Sequence, residues 1–328
     1  MSAQSPYLSI VVTGRNDDYG GNFLDRINVF VNQTRLWSIF GLDYELIIVE
    51  WNPLPDRLRL RDAVTWPECT KEKVRFIEVT EQTHRSLPRS NSVHLYEFLG
   101  KNVGIRRAKG VFILSTNFDI LFSVEVTKFL ASRSLSRRCF YRTNRYDLDS
   151  PIPRLATSVK EQLKFCEDHF TRINLRGETL DFHGKHPGLR ELTAAIVNYH
   201  LSRLRKRKLR KPEDTLHTNA SGDFMLMSRA SWDGLRGHPE NFVSNSHIDA
   251  FMCAMAASSG LEQVILDGPM RVYHQIHKSL DDSTDVEGQA LYSLWVMQAR
   301  RMLDQGKPII YNAKDWGLAE DVCRETHF

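Results

Sequence analysis

Residues Leu8–Asp17 read LSIVVTGRND, an apolar run rich in β-branched residues that turns polar after Gly14. A short continuous apolar run ending at a glycine predicts a strand buried on both faces. Three further runs have this character, at Glu45–Val49, Val74–Val79 and Val111–Ser115. Helical patterns lie between them, at Asn22–Phe40 and Tyr96–Ala108. Alternating strands and helices predict βαβ units, so we expect an α/β fold with a parallel sheet.

The chain changes character after about residue 150. The break PIPRL at Pro151–Leu155 precedes helical patterns at Val159–Phe170 and Leu189–Leu209, which predict a helical insertion over about 150–212. Strand and helix patterns then resume, at Gly222–Ser228, Ser246–Ser258, Gln263–Leu266, Met270–Tyr273 and Gln289–Leu303. We therefore expect one α/β domain over residues 1–280, followed by a helical C-terminal tail over 281–328.

Composition excludes several classes of protein. Of the 328 residues, 41% are hydrophobic and 26% are charged, which argues against wholesale disorder and fibrous repeats. No apolar run approaches the roughly 18 residues of a membrane span, and the N-terminus lacks the pattern of a secretory signal. The five scattered cysteines have no CxxC spacing, so we expect reduced thiols. These features predict a cytoplasmic protein.

The positive charge is concentrated in one segment. Lys and Arg exceed Asp and Glu by 44 to 40, yet Leu201–Lys211 (LSRLRKRKLRK) alone holds seven basic residues and no acid. This basic segment could lie on a membrane surface, contact an acidic polymer, or be a solvated helix. Nucleic-acid binding is a weaker alternative, because there is no second basic cluster and no RNA-binding aromatic motif.

Polar residues follow three of the predicted strands. They lie at Thr13–Asp18, Glu50–Asn52 and Thr116–Asp119, and ligands of α/β sheets bind at such strand ends. Neither GxGxxG nor GxxxxGK[ST] is present, which disfavours a dinucleotide site and a P-loop. A nucleotide diphosphate held without a glycine-rich loop needs a divalent cation, for which Asp119 and Asn117 are candidate ligands. Alternatively, these two residues simply form a turn.

The order of these segments carries a resemblance. LSIVVTGRND, ELIIVEWN (Glu45–Asn52) and KNVGIRRAKGVFILSTNFD (Lys101–Asp119) together resemble the nucleotide-sugar half of GT-A glycosyltransferases of the family 2 type. The frame N-x-G-x-x-x-A-x-G, which often precedes the metal motif in that fold, is present from Asn102 to Gly110. The family's Asp-x-Asp falls on Asn117-Phe118-Asp119, so an amide replaces the first acid.

The resemblance implies a fold, an activity and a cofactor. The expected fold is GT-A-like, a mostly parallel central sheet flanked by helices. The implied activity is a hexosyltransferase-like transfer of a sugar from a nucleotide diphosphate sugar, expected to be UDP-linked, to a hydroxyl group of a glycan or other acceptor. Mn²⁺ or Mg²⁺ would be the cofactor, held by Asp119 and His274, with His277 as an alternative phosphate contact. The implied donor-binding residues are Thr13, Arg15, Asn16, Asp17, Glu50, Asn102 and Asn117.

The resemblance also assigns residues of the second half to acceptor binding and catalysis. Gly222 and Asp223 would open toward the acceptor and Trp232 would stack on a sugar, although an aromatic after a strand is more often core. Asp249 falls where inverting enzymes of this fold carry a catalytic base. The spacing Ser246-x-x-Asp249 is equally that of a helix cap. A non-catalytic protein of the same fold, binding nucleotide or glycan, is the main alternative, favoured by the missing first acid.

Overall fold

The predicted βαβ units form the first half of the sheet. The computed structural model describes residues 5–154, 157–205, 211–240, 247–278, 286–321 and 323–328. Its first four strands run parallel in the spatial order β3-β2-β1-β4, as the sequence predicts. They are β1 (Leu8–Gly14), β2 (Tyr44–Trp51), β3 (Val74–Val79) and β4 (Phe112–Ser115). The helices between them are α1 (Phe23–Asn32), α2 (Thr34–Ile39), α3 (Leu60–Ala63), α4 (Glu68–Lys71), α5 (Glu81–Ser86) and α6 (Glu97–Arg107).

The second half continues the same sheet with strands of both directions. It contains β5 (Ile120–Phe122), α7 (Val124–Ala131) and β6 (Cys139–Leu148). A later antiparallel strand at Met225–Ser228 lies between β4 and β6, so β6 runs in the direction of β4. The strand at Glu262–His274 is parallel to β6. The carboxyl ends of six strands therefore meet at one edge of the sheet, called here the carboxyl edge.

The insertion contains both predicted helices and, in addition, a β-hairpin. Its elements are α8 (Val159–Asp168), β7 (Phe170–Leu175), β8 (Glu178–Asp181) and α9 (Leu189–Arg205). Ser158 and Glu161 form a capping box at the start of α8. The expectation of a purely helical insertion is thus incomplete, because β7 pairs with β6 and extends the main sheet. Short strands interrupted by polar residues give little periodic signal, which is why the hairpin was missed.

The C-terminal part completes both the sheet and its core. It comprises β9 (Met225–Ser228), α10 (Arg229–Leu235), α11 (Ile248–Ser258), β10 (Glu262–His274), α12 (Val286–Gln305) and β11 (Arg324–Thr326). The expected helical tail is present as α12, but β11 also pairs with β3. Trp295, Ala299 and Met302 of α12 are buried in one core with α11. No helix in the described part of the chain is both long enough and apolar enough to cross a membrane.

The two faces of the sheet bury separate cores. Ile10 and Val12 of β1 pack with α1 and α2, while Val11 packs on the opposite side with α6 and α11. This alternation is the period of two expected of a strand covered on both faces. A Cβ at Gly104 would lie 2.5 Å from a methyl group of Val11. Gly104 therefore allows α6 to pack closely against β1.

Candidate metal and donor site

Asp119, His274 and His277 meet at the carboxyl edge. Asp119 precedes β5, and β5 pairs with β10 so that Ile120 lies opposite His274. The Oδ2 atom of Asp119 is 3.5 Å from Nε2 of His274 and 3.2 Å from Nε2 of His277. The backbone amide of Gln275 also donates to the carbonyl of Asp119 at 2.8 Å. Strand pairing therefore brings together side chains more than 150 positions apart.

The electrostatics of this metal cluster, as these three residues are called below, keep its carboxylate ionised. Burial opposes ionisation of Asp119, yet His274 and His277 hold the pKa of its carboxyl well below the usual range. The same contact raises the pKa of His277. The Oδ1 atom of Asp119 is buried without a hydrogen-bond partner among the described residues. One carboxylate and two imidazoles, with ligand atoms within 4.8 Å of one another, form a donor set that fits Mn²⁺.

A second set of charged side chains adjoins the metal cluster. Arg145 on β6 lies between two carboxylates, 2.6 Å from Oδ2 of Asp223 and 2.7 Å from Oδ1 of Asp147. Asn117 donates its amide to Oδ1 of Asp223 at 2.8 Å. Asp147 in turn lies 3.8 Å from Nδ1 of His274. Burial opposes ionisation of Asp223, but Arg145 and His274 lower the pKa of its carboxyl.

Sequence reasoning missed Arg145 and Asp147. Their spacing of two places both side chains on one face of a strand. The partly polar run Cys139–Leu148 was not interpreted as a strand, so this signal was not used. Tyr146, between them, points to the opposite face and joins the core of the insertion.

The loop between β1 and α1 lies against the metal cluster. The ring of Tyr19 is centred 5.5 Å from that of His277. Arg26, buried in α1, donates to the carbonyls of Tyr19 and Gly21 and so holds the loop in place. Gly20 has φ +69° and a Cβ there would lie 2.9 Å from Cβ of His277, so only glycine fits. This loop is therefore positioned to cover a ligand of the cluster.

Four of the predicted donor-binding residues make hydrogen bonds with the backbone at the ends of β1 and β2, and two of them, Arg15 and Asn16, join the loops that follow these strands. The side chains of Thr13, Arg15 and Asn16 donate to the backbone carbonyls of Val49, Asn52 and Leu58, respectively. The carboxylate of Glu50 accepts the backbone amide of Leu60. Asp17 is more accessible and lies 3.8 Å from Arg15. Burial raises the pKa of Glu50 to about 7. The structure thus brings these residues to the carboxyl edge, where Asp17 is the one with an accessible carboxylate.

Two predicted site residues are wrong for the roles expected of them. Asn102 is fully buried, donates to the carbonyl of His238 and to Glu240, each at 2.7 Å, and accepts the amide of His238. Trp232 is also fully buried and donates to the carbonyl of Ile113 at 3.0 Å. Asn102 therefore cannot bind a donor and Trp232 cannot stack on a sugar, because neither side chain reaches a surface.

Asp249 is hydrogen-bonded to Gly222, the residue that precedes Asp223. Its Oδ2 atom accepts the amide of Gly222 at 2.6 Å, and Lys101 donates to the carbonyl of Gly222 at 3.0 Å. The partner of the expected helix cap, Ser246, lies outside the described residues. Asp249 therefore holds the turn that carries Gly222 and Asp223, whichever further role it has.

The basic segment is described only at its ends. Arg203 and Arg205 close α9 and Lys211 follows, whereas residues 206–210 (Lys206, Arg207, Lys208, Leu209 and Arg210) lie outside the described residues. Arg203 donates to the carbonyl of Arg176 at 2.7 Å. Leu201 and Leu204 are 44% and 67% exposed. The described part of the segment thus combines accessible apolar side chains with basic ones.

Comparisons with known proteins give structural similarities alone. No protein-family model matches the chain, and no curated protein is significantly similar in sequence. The mannosyltransferase PcManGT from Pyrobaculum calidifontis, in complex with GDP-Man and Mn²⁺, is 11% identical, with a TM-score of 0.45 over 96% of this chain and 73% of that one. GalNAc-T7 with UDP, GalNAc and Mn²⁺ is 9% identical, with a TM-score of 0.44 over 89% of this chain and 48% of that one.

A third similar structure is the catalytic domain of Drosophila β1,4-galactosyltransferase 7 in complex with xylobiose. It is 11% identical, with a TM-score of 0.34 over 79% of this chain and 63% of that one. At these identities no residue role transfers from these proteins to this chain.

Proposed function

We propose that this chain is a metal-assisted glycosyltransferase. It takes a sugar from a nucleotide diphosphate sugar, expected to be a UDP-sugar, and transfers it to a hydroxyl group of a glycan or other acceptor. The observation that carries the proposal is the metal cluster of Asp119, His274 and His277 at the carboxyl edge, next to the loops that follow β1 and β2. Ligands of α/β folds bind at this edge.

The metal cluster would hold Mn²⁺ or Mg²⁺, and its two imidazoles favour Mn²⁺. When bound, the cation would neutralise charge that develops on the departing diphosphate. Asp147 lies 3.8 Å from Nδ1 of His274, which is beyond hydrogen-bond distance, so it places a negative charge beside this imidazole without fixing its orientation. Arg145 pairs with both Asp147 and Asp223 and offsets one of their two negative charges, so a net negative charge remains beside the metal cluster.

Asp249 is the proposed base. It would take the proton of the acceptor hydroxyl as that oxygen bonds to the anomeric carbon and the bond from that carbon to the diphosphate breaks. Such a reaction inverts the anomeric centre, whereas a retaining enzyme would leave Asp249 as the residue that holds Gly222. Gly222 and Asp223 are the proposed acceptor contacts, because Asp249 and Arg145 fix them beside the metal cluster.

A panel of nucleotide sugars tests this function. The protein is screened by thermal shift with each sugar, with and without Mn²⁺, and the same sugars are assayed for transfer and donor hydrolysis. We expect one nucleotide family to raise Tm only when Mn²⁺ is present, with product formed. Binding without turnover would instead support the non-catalytic alternative. If no nucleotide sugar binds in the presence of Mn²⁺, the proposal is wrong.

We also propose that α9 contacts an anionic membrane surface. Val197, Leu201 and Leu204 are spaced at four and three residues, lie on one helical face, and are 48%, 44% and 67% exposed. The adjoining sequence through Lys211 is strongly basic, which suits an acidic lipid surface. Vesicles containing phosphatidylserine should sediment the protein, and the pair Leu201→Ser with Leu204→Ser should abolish this. Equal sedimentation by neutral vesicles would exclude the charge contribution.

A further inference from the structure

A cavity lies between the insertion and the main sheet, on the opposite face of β6 from Arg145 and Asp147. Its volume is about 510 Å³, and its walls come from β6, β7, α9 and β10. Asn144 and Tyr146 line it, and side chains of a strand alternate between faces, so the cavity and the metal cluster occupy opposite faces of β6. Its apolar wall consists of Ile173, Leu175, Leu192, Ile196 and Ile265. The function proposed above uses no residue of this cavity.

The cavity is positively charged. Arg176, Arg203 and Arg271 line it, against Asp267 as the carboxylate among the described lining residues. Asp267 already accepts hydrogen bonds from Asn144 and from the backbone of Gly268. The lining therefore contains three guanidinium groups and one carboxylate, and the Oδ1 atom of that carboxylate already accepts two hydrogen bonds. An accumulation of positive charge in a concave, partly apolar site raises the local concentration of anions.

Two of these arginines have unused donors. The Nε atoms of Arg176 and Arg271 are buried and have no hydrogen-bond partner among the described residues. Arg271 also lies 4.8 Å over the ring of Tyr146, which holds the guanidinium in the cavity wall. Because these Nε atoms are enclosed while both side chains are partly exposed, an oxyanion in the cavity would be bound through the remaining guanidinium nitrogens in charge-assisted hydrogen bonds.

The field of this cluster acts on its surroundings. Buried His217 lies nearby, and its pKa is well below the usual range because of burial and the positive charges of Arg142, Arg176 and Arg203.

We propose that this cavity binds a small molecule that carries a phosphate or sulfate group. The oxyanion contacts Arg176 and Arg271, with Arg203 adding charge, while Tyr146 and the apolar wall contact the remainder of the molecule. A cavity of about 510 Å³ lies within the range of roughly 300–1,000 Å³ for small-ligand sites, enough for a hexose monophosphate. The proposal is independent of the glycosyltransferase function, because none of these residues belongs to the donor site.

Calorimetry in EDTA tests the proposal without any contribution from a bound divalent cation. The probes are inorganic phosphate, inorganic sulfate, a hexose monophosphate and the uncharged hexose. The variant is the double substitution Arg176→Gln with Arg271→Gln. The matched control is Arg172→Gln, which removes the same charge from β7 at a side chain that is 52% exposed and outside the cavity lining.

We expect at least one oxyanion to bind and the uncharged hexose not to bind. The double variant should weaken binding at least 10-fold, whereas Arg172→Gln and Asp119→Ala should leave it within 2-fold. Tighter binding of the hexose monophosphate identifies a phosphorylated sugar as the ligand, and equal affinities identify the free oxyanion; both support the site. The absence of binding by every oxyanion, or unchanged binding by the double variant, overturns the proposal.

Hydrogen exchange of the unmodified protein gives a second test if the double variant does not fold. The best probe should slow exchange in β7 and α9 and leave β1 and β2 unchanged. A lack of protection in β7 and α9 overturns the proposal in the same way. Loss of Mn²⁺-dependent donor binding in Asp119→Ala would not alter either result, so failure of the two proposals can be told apart.

Discussion

The metal cluster and the network around Asn102 are both groups of polar residues at least half-buried in the protein, and they differ in their hydrogen bonding. Around Asn102, the side-chain amide and oxygen are both paired, with the backbone of His238 and with Glu240. In the metal cluster, the Oδ1 atom of Asp119 has no partner among the described residues, and two imidazoles face one carboxylate oxygen. The side-chain nitrogen and oxygen of Asn102 are thus both paired within the protein, whereas the carboxylate of Asp119 has one oxygen unpaired among the described residues.

This difference separates structural from functional polar residues. Burying a polar group costs free energy unless a partner is present, so a complete network is explained by stability alone. An incomplete one is explained when a ligand supplies the missing partner. Because Asn102 and Asp119 both come from the segment that carries the family resemblance, motif position alone could not separate their roles.

Removal of Asp119 should have the largest effect. Asp119→Ala should abolish Mn²⁺ binding and lower the transfer rate by roughly 10,000-fold, because the only carboxylate of the metal cluster is lost. Mn²⁺ affinity by electron paramagnetic resonance and initial transfer rates measure this. Asp181→Ala, at an aspartate 46% exposed on β8, is the control. Unchanged Mn²⁺ affinity would remove Asp119 from the metal site.

Asp249→Asn should leave donor binding intact and lower turnover by about 1,000-fold. The amide oxygen can still accept the backbone N–H of Gly222, so the turn is kept while the base is lost. Donor affinity and the catalytic constant, measured on the same preparation, separate the two effects. If turnover survives, the role of Asp249 is confined to holding the turn.

Glu50 provides an intermediate case, a buried acid that accepts the backbone amide of Leu60 and can still ionise. Burial raises its pKa to about 7, above the value of about 4.5 in the unfolded chain, so the folded state binds the proton more tightly. Its contribution to stability is therefore present below pH 4.5 and is lost as the pH rises to about 7. By this shift, the contribution of Glu50 alone should fall by roughly 3 kcal/mol between pH 4.5 and pH 8, so it is measured as the difference between wild type and a variant that cannot ionise.

Glu50→Gln cannot ionise and can still accept the amide of Leu60. Urea denaturation at pH 4.5 and pH 8 should show that the variant lacks this loss, whereas Glu72→Gln, at an exposed glutamate, should behave as wild type. Identical pH dependence in Glu50→Gln and wild type would show that Glu50 titrates normally.

The smallest effect is expected from a substitution in the network around Asn102. Asn102→Ala leaves the amide of buried His238 without a partner and removes one of the two hydrogen bonds to Oε1 of Glu240, and should lower the free energy of unfolding by about 2 kcal/mol. Mn²⁺ affinity of the folded protein should not change. Asn28→Ala, at a half-buried asparagine on α1, is the control for loss of an amide. A change in Mn²⁺ affinity without loss of stability would reverse the two assignments.

Half of the site could be predicted because its residues follow strands that the sequence marks clearly. Asp119 lies four residues after the apolar run of β4, and His274 is the last residue of β10. Arg145 and Asp147 could not be predicted in the same way, because β6 alternates buried residues on two faces without a continuous apolar run. Trp232 shows the opposite error: the family resemblance implied a sugar-stacking surface, whereas packing shows that the side chain is core.

The sequence by itself determined the βαβ units, the polar strand ends and the place of Asp119 within them, because these depend on residues a few positions apart. Only the tertiary structure decided that His274, His277, Arg145 and Asp223 surround that carboxylate, and that Asn102 and Trp232 are enclosed. The physical reason is strand pairing: the direction of β6 and the register of β5 on β10 depend on contacts between distant segments, which no local pattern records.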